Sequence, residues 1–287
     1  MAKAVRSWYI AATPEIGITA VEGAYGFLVR SDRVALRRVV LTVDSASSVR
    51  DALAEATEFF GASGFDVWVD TRDRSRRLTS ELGLAGYEAV QDTVVLALLG
   101  SVRAGPGPEA LRVEDAVDDD GLREWATVKL RGFADSEEPP PAEQVQQEMS
   151  ARQAEQAVCR YQLAYLGAEP VSMLGHYAGR DQMVFLLATR VPFRRRAIAQ
   201  NLLARWCEQA AAERPRSLLI NCDDGGAPAL LYRRIGFTDE VYWHRRYQRP
   251  DPTRREQTLN GSRPAFGATR GAGPRWSPRS SARIRQR

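Results

Sequence analysis

The chain has 287 residues, 44% of them hydrophobic, and a formal net charge of +4, which supplies core material for one large domain or two ordinary ones. Its longest apolar runs, such as 94–99, fall far short of a membrane span, and its first residues, MAKAVRSWYIAATPEIG, lack the apolar stretch of a secretion signal, so a soluble, cytoplasmic protein is expected. Three scattered cysteines, Cys159, Cys207 and Cys222, with no C-x-x-C spacing and only two histidines, argue against a zinc site and against a disulfide framework.

Charge is distributed unevenly. Residues 251–287 carry nine arginines against Asp251 and Glu256, a net of +7, which leaves residues 1–250 at about −3. Only Lys3 and Lys129 are lysines, so arginine is the chain's default cation and its clusters carry less meaning than usual.

In chain order, periodicity predicts a helix over 47–60, the strand FDVWVD (65–70), the helix SRRLTSELG (75–83), a Gly-Tyr pair and the strand EAVQDTVVLAL (88–98). SVRAGPGPEA (101–110) has the composition of a linker. Beyond it come a helix over 118–130, a Pro-rich loop SEEPPPAE, and a helix over 142–156. Strands YQLAYLG and VSMLGHYAG join at the turn Gly167-Ala168-Glu169-Pro170, and 184–190 adds another strand. A helix over 195–212, the strand SLLINCD, a Gly-rich turn, the short helix APALLYRRI and the strand DEVYWHRRYQ complete the pattern. Strands and helices therefore alternate in a mixed α/β order. The expected organisation is a first domain at 1–100, a linker at 101–110, a second domain at 111–249 and a disordered Arg-rich tail at 250–287. Strand, helix, Gly-aromatic pair and strand recur at the end of both halves, which fits an internal duplication and equally the common order of any α/β protein.

The stretch VFLLATRVPFRRRAIAQNLLARW holds the most specific signal. Arg194, Ala197 and Ala199 fit the pattern R-x-x-(small)-x-(small) directly after an apolar strand. A helix macrodipole disfavours cations at its start, so Arg194, Arg195 and Arg196 need a reason to be there. An anion supplies one: backbone N–H groups of Arg195, Arg196, Ala197, Ile198, Ala199 and Gln200 would face a pyrophosphate, and small side chains would let it approach. Simple helix packing by the alanines is the competing reading.

The order strand, R-x-x-A-x-A, helix, strand, short helix ending L-Y-R-R-I-G-F, strand resembles the GNAT superfamily of acyl-CoA-dependent N-acyltransferases over about residues 111–249. The first half resembles the degenerate copy of tandem members, without a cradle of its own. The resemblance implies a central mixed twisted sheet flanked by helices and acetyl-CoA as co-substrate. It places the pantetheine arm on backbone groups of Leu187, Ala188 and Thr189, and implies Asn221 as a further contact, a residue that could equally cap its strand. Tyr232 matches the tyrosine that protonates the departing thiolate, against the simpler role of a core aromatic. Ala197 departs from the usual glycine, and the strand 183–191 lacks the glutamate that serves many members as base. His176 and Asp223 are the nearest candidate bases, and each has a structural alternative, as a strand histidine and as a turn residue. Cys222 beside Asn221 reads as an apolar filler, so direct attack is expected.

The expected function is transfer of an acetyl group from acetyl-CoA to a primary amine on a small molecule or peptide. A non-catalytic CoA-sensing or protein-binding module is the alternative. The basic tail, with Phe266 and Trp276, adds an accessory nucleic-acid contact. Acceptor identity and oligomeric state are not encoded in a readable pattern, although a tandem arrangement can replace a dimer interface within one chain.

Overall fold

The computed structural model describes residues 18–31, 37–41, 48–61, 64–102 and 105–250. The N-terminal stretch, most of VDSASS and the basic tail lie outside the described residues. The first half forms a hairpin of β1 (Ile18–Glu22) and β2 (Gly26–Ser31), then β3 (Arg38–Leu41), α1 (Ser48–Phe60), β4 (Asp66–Val69), α2 (Arg72–Leu84) and β5 (Glu88–Leu98). The second half comprises β6 (Leu111–Asp115), α3 (Asp119–Ala134), α4 (Ala142–Glu155), β7 (Cys159–Leu166), β8 (Glu169–Tyr177) and β9 (Asp181–Thr189). A single 3-10 turn (Val191–Phe193) leads to α5 (Ile198–Ala212), β10 (Ser217–Asp223), α6 (Ala227–Ile235) and β11 (Phe237–Gln248).

Local chemistry sets several helix ends. Thr71 caps α2 by accepting from Arg74 N at 3.2 Å. Asp118 does the same for α3, and Asp135 closes that helix in the left-handed conformation (φ 52°), which an aspartate tolerates better than most residues. α3 therefore runs one turn past the predicted end at 130. The larger difference is at α5, predicted from 195 but starting at Ile198, because Arg195 (φ 61°) and Ala197 (φ 57°) are left-handed and cannot belong to a helical turn. β5, β10 and α6 match their predicted segments residue for residue. β1, β2, β3 and β6 are short, and periodicity did not mark them.

All eleven strands join one mixed sheet in the order β1-β2-β3-β4-β11-β5-β10-β9-β8-β7-β6. The last strand of each half has crossed to the other. β11 pairs antiparallel with β4, β5 pairs antiparallel with β10, and β5 and β11 pair with each other along their length. The described residues up to Arg249 accordingly form one compact unit.

Helices cover the sheet on both faces. α5 and α6 bury Ile198, Leu202, Leu203, Trp206, Tyr232 and Ile235 against Val94, Leu96, Val184 and Ile220. On the same face α1 and α2 bury Val49, Ala56, Leu78 and Leu82 against Val39, Val67 and Tyr247. α3 and α4 pack on the other face, where Leu122, Trp125, Val128 and Met149 meet β7, β8 and β9. Each wholly buried Leu or Val contributes about 1.5–3 kcal/mol of transfer free energy, so these three clusters dominate the cohesion of the sheet.

Candidate functional site

β9 and β10 run parallel but pair only from Ser217↔Asp181 to Ile220↔Val184. Both strands continue beyond that pair, β9 to Thr189 and β10 to Asp223, so their C-terminal ends part. The cause is visible in β9. The β8–β9 register shifts between Gly175↔Leu186 and His176↔Val184, leaving Phe185 as an extra residue. Such a bulge bends its strand and increases its twist. Gly175 makes it fit: a Cβ there would lie 3.2 Å from Trp125 and 3.4 Å from the Phe185 ring.

The parting exposes one edge of β9. Arg190 N donates to Val171 O on β8 at 3.0 Å, and strand alternation then turns the backbone groups of Ala188 toward β8 as well. Those of Leu187 and the N–H of Thr189 face the gap, while the Thr189 carbonyl accepts from Arg194 Nε at 3.0 Å. Of the three residues expected to offer backbone groups, Ala188 turns its own toward β8, where its carbonyl also accepts from the Ser172 hydroxyl at 2.7 Å.

Beyond Thr189 the chain turns sharply into α5. Left-handed Arg195 and Ala197 bracket Arg196, a conformation that gathers successive N–H groups on one side into an anion-binding concavity. No side chain caps α5 at Ala197. Ala199 and Gln200 lie half-buried in the first turn of the helix, while the Ile198 side chain is 1% exposed and belongs to the core. A left-handed non-glycine residue costs about 1–2 kcal/mol, so the loop conserves a strained shape at Ala197 that glycine would adopt freely.

The three arginines do different things. Arg195 and Arg196 are exposed, Arg196 over the Phe193 ring at 5.6 Å. Arg194 points away from the concavity: it donates to Thr189 O (3.0 Å), Gly132 O (2.7 Å) and Asp135 Oδ1 (2.5 Å), pinning the loop to the end of α3. Gly132 permits this approach, since a Cβ there would stand 3.0 Å from that of Ala188.

Tyr232 lies behind the freed end of β10. It is 6% exposed, on the α5–α6 face, with Cys222 and Asp223 close enough to influence its ionisation. Burial raises its pKa, helped by those two neighbours, so its hydroxyl keeps a proton throughout the neutral range. Asn221 is the first β10 residue past the last pair with β9, half-buried, with its side chain on the face opposite Cys222. Burial pushes the Cys222 thiol up to about 12, which makes it a poor nucleophile.

By sequence, the chain matches no family model and no curated protein. By structure, it is similar to a GCN5-related N-acetyltransferase from Kribbella flavida, with TM-score 0.60, 15% identity, and coverage of 89% of this chain and 96% of that one. A GCN5-related N-acetyltransferase from Sphaerobacter thermophilus gives TM-score 0.57 and 17% identity, covering 86% and 85% of the two chains. A tandem GNAT protein from the clavulanic acid biosynthesis pathway, solved without AcCoA, gives TM-score 0.55 and 12% identity over 88% of each chain. The fold is that of the GNAT superfamily.

Within this GNAT fold the two candidate bases lie apart from each other. His176 is 8% exposed beneath α5, its ring 5.6 Å from that of Trp206. Trp206 stands nine residues along α5 from Ala197, about 13 Å down the helix axis, and His176 faces the still-paired part of β9. Burial lowers its pKa to about 4, so it is a weak base as well as a distant one. Asp223 is at the freed end of β10, where it accepts from Gln91 Nε2 at 2.5 Å.

Two groups of residues escaped the sequence reading. Arg190, 8% exposed, donates to Glu137 (Nε to Oε2, 3.0 Å), Glu169 (2.8 Å) and Pro170 O (3.0 Å), tying the loop after α3 to the end of β9. From the first half, Arg72 donates to Asp224 at 2.7 Å and Asp92 O accepts from Asp224 N at 2.9 Å. Neither set has a local signature: the partners stand far apart in sequence, and those of the second set meet only once β5 has crossed to β10. No helix among the described residues is long and apolar enough to cross a membrane.

Proposed function

We propose that the protein is an acyl-CoA-dependent N-acyltransferase that moves an acetyl group from acetyl-CoA to a primary amine by direct attack. The observation that carries this reading is the parting of β9 from β10 beyond Val184 and Ile220, immediately upstream of a loop in which Arg195 and Ala197 are left-handed. The backbone groups of Leu187 and the N–H of Thr189 offer an edge for an amide-bearing arm, and the loop from Arg195 to Gln200 offers N–H donors and two exposed guanidinium groups for a pyrophosphate. Acetyl-CoA bound there supplies an acyl group activated as a thioester. Tyr232 holds a proton at its Oη for the leaving thiolate, and Asn221 offers an amide on the opposite face of β10. The buried, weakly acidic Cys222 gives no support to a covalent acyl-enzyme.

The amine acceptor would enter on the α3 side, between the Arg190-anchored loop at 133–141 and the end of β10. We place the catalytic half at 111–249 and assign the first half, which has no such parting among its described strands, to support. Cytoplasmic location and a nucleic-acid contact through the tail remain parts of the same proposal.

Thermal unfolding against acetyl-CoA, free CoA and a longer acyl-CoA tests it. A saturable rise in midpoint is expected with all three, lost when Arg195 and Arg196 are both changed to Glu. Thiol release with an amine panel then identifies the acceptor. No shift with any CoA would overturn the reading, and a shift without thiol release would favour a non-catalytic CoA sensor.

A further inference from the structure

We infer that the first half sets the geometry of the acid in the second half, with Arg72 as a positioning residue for Tyr232. The inference rests on the acyltransferase reading of the second half and adds to it a control that comes from outside that half. The turn between β10 and α6, Asp223-Asp224-Gly225-Gly226, is the only covalent link between the freed strand end and the short helix that bears Tyr232. Its two glycines give it little stiffness of its own, Gly225 being left-handed at φ 75°.

The turn has one bond of its own, Gly226 N to Asp223 O at 3.3 Å, and Arg233 of α6 stands 4.0 Å from Asp224; its shorter contacts come from the first half. Gln91 donates to the Asp223 carboxylate at 2.5 Å, and the Asp92 carbonyl accepts from Asp224 N at 2.9 Å. Arg72, the first residue of α2, donates to the Asp224 carboxylate at 2.7 Å and to Glu240 at 3.2 Å. Its guanidinium carbon also stands 5.4 Å from the centre of the Trp243 ring. Trp243 is buried in the same cluster as Tyr232, Ile220 and Val94, so Arg72 bears on the acid by two routes, the turn and the packed ring. Asp92 in turn pairs with Arg245, Nε to Oδ1 at 2.5 Å and a second nitrogen to Oδ2 at 2.6 Å, which holds β5 and β11 in register beside the turn. Asp223 and Asp224 therefore anchor the turn.

The test uses the full chain with Tyr labelled by 13C at Cζ, the Tyr232 resonance being assigned by its loss in Tyr232→Phe. Arg72→Ala should move that resonance while the other tyrosines keep theirs, and Arg72→Lys should bring it back most of the way. In turnover assays Arg72→Ala should lower kcat about tenfold with the KM for acetyl-CoA within twofold, and should cost nothing further in a Tyr232→Phe background, because two residues acting through one group are not additive. An unmoved Tyr232 resonance in Arg72→Ala overturns the positioning role, whether or not the protein turns over. An equal loss of kcat with and without the Tyr232 hydroxyl overturns it too. Wild-type protein that neither binds CoA nor releases thiol overturns the parent reading alone, since the resonance answers independently.

Discussion

Ala197 occupies a position whose backbone, at φ 57°, suits glycine. Replacing it with glycine relieves about 1–2 kcal/mol of left-handed strain and adds part of that back as unfolded-state entropy. Ala197→Gly should therefore stabilise the free protein by about 0.5–1 kcal/mol in denaturant titration and tighten CoA binding, by opening the concavity. Tyr232 gives the complementary case. Its raised pKa keeps the proton in place, and loss of the hydroxyl should lower kcat by about 100-fold while the acetyl-CoA thermal shift stays as in the wild type. His176 writes its burial into the pH dependence of stability. Its folded pKa, about 4, lies below the ordinary 6.5, so between those values the unfolded chain binds the extra proton. Stability should fall as pH drops from 6.5 toward 4, by roughly 3 kcal/mol from this group. His176→Gln should flatten that part of the profile, and an unchanged slope would remove His176 as its source.

At the level of elements, the site is made by a strand that bends and a helix that comes close. Gly175 admits the Phe185 bulge, and Gly132 lets α3 reach Ala188 and Thr189, so α3 braces β9 where its other neighbour has left it. Gly132→Val should push α3 off β9, cost about 1–3 kcal/mol in overpacking, and weaken acetyl-CoA binding more than a change of equal cost in the core under α1. Equal affinity in the two variants would mean that α3 does not support the strand. The elements themselves were legible because their periodicity is local: α6 and β10 fall where APALLYRRI and SLLINCD put them. The bulge was not, since it is defined by the register of β8 against β9 rather than by any pattern within 181–189. R-x-x-A-x-A marked the loop between β9 and α5 but not its conformation. Arg194 illustrates the limit, as its type and spacing suggested a phosphate contact and its partners turned out to be Thr189, Gly132 and Asp135.

Across the whole molecule, exchange of β5 and β11 turns two similar halves into one cooperative object. β5 makes ten residue pairs with β11 and five with β10, so the middle of the sheet belongs to both halves at once. Tyr247, near the end of the chain's last strand, completes the first half by meeting Ser75 Oγ at 2.8 Å and Thr79 Oγ1 at 2.9 Å in the α2 core. Removing the first half would strip β10 and β11 of their shared neighbour and leave unpaired edges in the centre of the former sheet. Residues 105–250 expressed alone should therefore aggregate or remain unfolded. In the full chain, denaturant unfolding followed by far-UV circular dichroism and by tryptophan fluorescence should give coincident single transitions. Leu78→Ala in the first half and Leu202→Ala in the second, both fully buried, should each lower that one midpoint, at a cost of about 2–5 kcal/mol in unfolding free energy, without splitting the transition. Two resolved transitions, each sensitive to only one of the substitutions, would mean that the exchanged strands do not couple the halves, and that the linker at 101–110 separates independently folding bodies.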